Sequence, residues 1–198
     1  MESNERTWLS GNFLISDANL PDPHFRRTVI LIISHDENGA FGLVVNRRVE
    51  ATLADVMPEF EKTQAAEIQL YEGGPVSREY LFAIHSGFPG DIRSEHAVDP
   101  IEHVTFEPAF QVLTPYLQNR WAAMAEESRP PIHLYAGYSG WEGGQLEREL
   151  SLGAWIVRPA AVKHIFSDDP DEGWRHALGE LGGMYRIVAE TGYKPSMN

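Results

Sequence analysis

Thr28 to Ser34 reads TVILIIS, an apolar run rich in β-branched residues. Such a run predicts a strand buried on both faces. Gly42 to Asn46, GLVVN, predicts a second strand. The four residues Asp36-Glu37-Asn38-Gly39 between them carry an Asn-Gly turn signal, so residues 28–46 read as a β-hairpin. Phe13 to Ile15 predicts a short strand leading in, with Pro21-Asp22-Pro23 in the loop that follows it. Thr52 is placed as the N-cap of a helix with Asp55 at the third helical position. Glu67 to Tyr71, Tyr80 to His85 and Val104 to Phe106 predict further strands, with Gly73-Gly74-Pro75 as a turn and 86–100 as an irregular loop. Phe110, Leu113, Leu117, Trp121 and Met124 recur at spacings of three and four, which predicts an amphipathic helix from Pro108 to about Glu127, with Pro115 as a point of kinking. Ile132 to Ala136 predicts a strand running into a glycine-rich turn at 137–144, followed by a helix from Gln145 to Leu150. A last strand at Ala154 to Val157 precedes helices at 159–166 and 171–190, the second interrupted at Gly182-Gly183. No repeat or linker divides the chain. The pattern predicts one α+β domain over residues 1–198, with 190–198 as a loose tail.

Composition narrows the chemistry. The chain has 198 residues, 42% hydrophobic and 23% charged, the balance of a globular protein. Its 16 Lys and Arg against 29 Asp and Glu give a formal charge of −13. That charge disfavours nucleic-acid and anionic membrane partners. The absence of cysteine removes disulfides and thiolate metal sites. The acidic start lacks the basic and apolar regions of a signal peptide, and the longest apolar run near the front, Val29 to Ile33, is too short to span a bilayer. A cytoplasmic protein is the expectation.

Residues 137–150, GYSGWEGGQLEREL, hold the densest pattern, with glycines at 137, 140, 143 and 144. One reading is a nucleophile elbow with Ser139, although Trp141 occupies the place of the final glycine. A second is a phosphate loop, although no lysine is present and Glu142, Glu147 and Glu149 bring negative charge. A third is a pocket lined by Tyr138, Trp141 and Gln145. Against these stands a purely structural reading, in which the glycines make the turn and Trp141 packs over it. The eight histidines form no metal-ligand spacing, although His35, His85 and His133 fall in or at the ends of predicted strands. No metal, cofactor or catalytic residue is assigned.

Three blocks carry a resemblance. They are LPDPHFRRTVILIISHDENGAFGLVVNRR at 20–48, GGPV at 73–76 with LFAIH at 81–85, and GYSGWEGGQLERELSLGAW at 137–155. In order and spacing the chain resembles the AlgH/YqgE family of bacterial proteins. It departs in loops, with Arg48 where proline is frequent and Asp17-Ala18-Asn19 in place of a small-residue and proline segment. The resemblance implies a bent, bifurcated, mainly antiparallel sheet curled into a pseudo-barrel with helices packed outside. It carries no catalytic residues. The family's label, transcriptional regulator, comes from one member's genetic link to alginate control. The positions it points to as a shared surface or pocket are Asp22, Arg27, His35, Asn46, His85, Ser139, Trp141, Gln145 and Glu147. Taken together, the expectation is a non-catalytic binding or regulatory protein with an unknown protein or small-molecule partner. The alternatives are a hydrolase using Ser139 and a DNA-associated regulator.

Overall fold

A computed structural model describes residues 8–193. Ten strands form one sheet: β1 (Asn12–Ser16), β2 (Val29–Asp36), β3 (Gly39–Val44), β4 (Arg48–Thr52), β5 (Gln69–Glu72), β6 (Val76–His85), β7 (Val98–Ile101), β8 (Val104–Glu107), β9 (Ile132–Glu142) and β10 (Trp155–Pro159). Their order is β10-β1-β2-β3-β9-β6-β8-β7, with β4 and β5 branching off at β9. All pairings are antiparallel except β5 with β9. The sheet is curled into a half-barrel, with helices around it.

The predicted hairpin is present. Asp36 pairs with Gly39, so Glu37 and Asn38 form a two-residue loop, and the Asp36 carboxylate accepts the Asn38 N–H at 2.7 Å. Strand β2 is buried on both faces from Val29 to Ile33, because a cluster with Phe13, Leu31 and Leu43 lies on one side and one with Leu14, Ile30, Ile32 and Trp141 on the other. The first cluster is closed by α4 (Val162–Ile165), α5 (Gly173–Gly179) and α6 (Gly183–Thr191), which contribute Ile165, Trp174, Ala177, Leu178, Val188 and Ala189. The second is closed by α3 (Gln145–Ser151) through Leu146. A third cluster sits under α1 (Leu53–Val56) and the helical segment at 110–121. The predicted cap of α1 is formed: the Asp55 carboxylate accepts the Thr52 N–H at 2.7 Å.

Several predicted boundaries move. Residues 137–142 are not a turn. Strand β9 runs straight through them to Glu142, and only Gly143 and Gly144 turn the chain into α3. The predicted helix over 108–127 breaks into pieces: Phe110 to Trp121 is helical, its pitch passing from 3₁₀ through a short α2 (Thr114–Tyr116) to a π turn, and a separate 3₁₀ turn follows at Glu126–Ser128. Pro115 has no N–H to give, so a regular α-ladder cannot pass it. The stripe residues Phe110, Leu113, Leu117 and Trp121 are nevertheless buried. The loop at 86–100 ends in strand β7. Helix α6 continues to Thr191 and is capped by Gly192, so 190–192 form its end; residues 194–198 of the expected tail lie outside the described residues. No helix among the described residues is long and apolar enough to cross a membrane.

Candidate functional site

The sheet forks at β9. Its stretch Leu134–Ala136 pairs with β5, and Ser139–Glu142, on the same edge, pairs with β3. On the other edge Ile132–Ala136 pairs with β6, and Tyr138 pairs with Val76. Backbones crowd where the pairings change. Gly137 has φ +71, and a Cβ there would stand 2.7 Å from the carbonyl oxygens of both Gly74 and Val76. A Cβ on Gly73 would meet Leu43 at 2.9 Å. Glycine is the residue that fits such approaches.

Ser139 sits in this fork. Its side chain is 0% exposed and its hydroxyl donates to the Gly73 carbonyl at 3.2 Å. It therefore stands mid-strand and spans the fork, where an elbow would have lifted it out on a turn. His85, one of the three histidines placed in or at the ends of predicted strands, lies far off. It pairs with Ile132, seven positions down β9 from Ser139, which is roughly 23 Å at strand rise.

On one face of the fork lies a tied group. Trp141 is 6% exposed, and its indole donates to Glu149 Oε2 at 2.9 Å. Trp155 donates to the same oxygen at 2.7 Å, and the Gln145 amide donates to Oε1 at 2.9 Å. Gln145 in turn accepts the Glu142 N–H at 3.1 Å. Beside them, His35 Nδ1 accepts the Leu9 N–H at 3.1 Å, and Nε2 faces Glu147 at 3.5 Å. So the structure brings His35, Trp141, Gln145 and Glu147 into one neighbourhood. Glu149, the carboxylate that joins it, reads in the sequence only as one of three acids beside the glycines and not as a member of the shared surface. The sequence signal for it was its place one turn after Gln145 on the face of α3 that meets the two tryptophans.

The remaining candidates stand apart. Asp22 accepts the His24 N–H at 2.8 Å and shapes its own loop. Asn46 is buried; it accepts the Val29 N–H at 2.7 Å and donates to the Arg27 carbonyl at 3.0 Å. Arg27 is a left-handed residue with φ 56, and its guanidinium lies over Trp174. These three clamp the loop before β2. His85 is 3% exposed and stacks on Phe88 at 4.1 Å, and burial pushes its imidazole down to about 4 despite the Glu107 and Asp99 carboxylates nearby. His133, stacked on Tyr71 at 4.4 Å, is pushed down to about 4 by the same cause.

The opposite face of the fork is open. Register places Ser34, Phe41 and Gly140 in one row across it, and Asp36, Gly39 and Glu142 in the next. Phe41 stacks on Tyr138 at 4.8 Å. Because Gly39 and Gly140 bring no side chains, a groove of about 710 Å³ runs over the two rings. Ser34, Asp36, Asn38, Glu142 and Gln145 supply its polar lining. Its arrangement of a few polar groups around aromatic rings suits binding.

The sequence profile of a family described as AlgH-like matches residues 13–186. A UPF0301 protein from Chlamydia caviae is 34% identical over 180 residues, 90% of this chain and 89% of that one. Another, from Chlorobaculum tepidum, is 32% identical over 188 residues, 95% of each chain. The solution structure of the AlgH protein from Pseudomonas aeruginosa superimposes with a TM-score of 0.72 at 28% identity, covering 100% of both chains. A crystal structure from Corynebacterium diphtheriae, 22% identical, shares the fold with a TM-score of 0.72 over 96% of this chain and 94% of that one.

Proposed function

The chain belongs to the AlgH-like family, and from that premise we propose that it is a non-catalytic, cytoplasmic binding protein that engages a partner through the groove over Phe41 and Tyr138. The observation that carries this reading is the open face of the fork: the blocks at 39–42, 73–76 and 137–145 meet there, and the floor of the resulting groove is aromatic. A hydrolytic role for Ser139 finds no support in its geometry, since the hydroxyl is buried and spent on the Gly73 carbonyl. A DNA-associated role is disfavoured by the charge of −13 and by carboxylates at the groove itself.

A photo-crosslinking amino acid placed at Ser34 or Val76 tests the reading in cells. Both positions line the groove. Leu152 is 83% exposed, lies away from it, and serves as control. The expected result is one discrete adduct from both groove positions that is absent from the Leu152 position and is lost when Tyr138 is changed to Ser in a folded variant. Equal labelling from all three positions, or none from the groove, overturns the reading.

A further inference from the structure

The groove borders an unfilled place in the sheet. In a two-residue hairpin the closing pair, here Asp36 and Gly39, direct their backbone groups at each other. Ala40, the next residue, therefore turns its N–H and C=O towards β9, where its partner is Trp141. By the same alternation Gly140 and Glu142 direct theirs to the other edge of β9. The Glu142 N–H is taken up by the Gln145 side chain and not by β3, which agrees with this direction and leaves the N–H and C=O of Gly140 and the C=O of Glu142 as the open groups. That edge belongs to β6 as far as the Tyr138–Val76 pair, and among the described residues no strand pairs with Gly140–Glu142 on that side. At Gly73-Gly74 the chain before β6 turns away to reach β5, so the ladder position beyond Val76 is vacant.

Charge selects the occupant. Asp36 and Glu142 stand at the rim of the groove, Glu37 is exposed at the hairpin tip, and none of the lining residues is Lys or Arg. Arg78, whose side chain lies beside Gly137, is already paired with Glu72. We propose that an extended, Lys- or Arg-bearing segment of a partner protein adds as a strand to the Gly140–Glu142 edge, setting an apolar side chain over Phe41 and Tyr138 and its cationic side chains against Glu142 and Asp36. Backbone hydrogen bonds supply the docking and the acidic rim supplies the selection. The proposal rests on the groove being the binding face and adds the class of partner.

The test is an NMR titration of the full chain with the heptapeptide Thr-Lys-Thr-Val-Thr-Lys-Thr, alongside versions carrying Gln or Glu in place of Lys. The expected result is shifts confined to the amides of Phe41, Tyr138, Gly140 and Glu142. The Lys peptide should bind about fivefold tighter than the Gln peptide at low salt, the sum of two exposed ion pairs, and the Glu peptide weakest. The double variant Asp36→Asn, Glu142→Gln keeps the hairpin acceptor and should erase the preference for Lys. N-methylation of alternate peptide nitrogens should abolish binding in one of the two phases. Equal binding of the Lys and Gln peptides at the same amides overturns the charge selection and leaves the groove reading standing. Shifts elsewhere, or none, overturn strand addition, and the crosslinking experiment then decides separately whether the groove binds anything.

Discussion

Glu149 accepts hydrogen bonds from two buried indoles and one amide, and so ties β9, α3 and β10 together. Removing it leaves two N–H donors without an acceptor away from water, which costs roughly 1–3 kcal/mol each. Glu149→Ala should therefore lower the urea midpoint by the equivalent of about 2 kcal/mol or more, with the slope unchanged. Trp141→Ala should cost about 3–5 kcal/mol, the range for a buried large-to-small change. A midpoint that stays in place in either variant contradicts the assignment. The packing role of Trp141 was legible in the sequence, because an aromatic residue among glycines needs something to cover. The partner of its indole was not, since Glu149 reads equally well as one more solvated acid on a helix.

At the scale of elements the decisive feature is β9. Its glycines look like a turn in one dimension, because local pattern cannot distinguish a glycine that reverses the chain from one that lets another backbone come close. Gly137 does the second and keeps the strand going. The hairpin of β2 and β3 and the cap of α1 were legible because local chemistry decides them. The fork was not, since β5 and β3 reach β9 from distant parts of the chain; only the family resemblance implied a bifurcated sheet. Gly137→Ala should cost about 3 kcal/mol or more, by adding a left-handed strain to a backbone overlap. Ser139→Ala should cost only about 1 kcal/mol, because the Gly73 carbonyl keeps the Val44 N–H at 2.9 Å. Paired thermal or urea melts check the contrast. Equal losses in the two variants would mean that the serine bond, and not the close approach of backbones, holds the fork.

Across the whole molecule the electrostatics set how the fold answers to acid. His85 and His133 belong to different parts of the core, and burial holds both near 4, against 6.5 when exposed. Below about pH 6.5 the unfolded chain takes up protons that the native chain refuses at these two places. Their contribution is therefore complete above 6.5 and is lost as pH falls towards 4. Glu180 behaves differently. Hydrogen bonds from Lys163 and His164 outweigh its desolvation and hold its carboxyl down at about 2, so its share is kept until the pH drops below about 4.5. Between pH 7 and pH 5 the two buried histidines lose their share while that of Glu180 is kept. Each should forfeit about 2 kcal/mol there, near the limit of 1.36 kcal/mol per pH unit over the titrated part of the interval. Urea midpoints should fall accordingly between those pH values. His133→Phe, which keeps a ring against Tyr71, should remove about half of the fall. A wild-type midpoint that is flat from pH 7 to pH 5 would show that both imidazoles take their protons without leaving the fold.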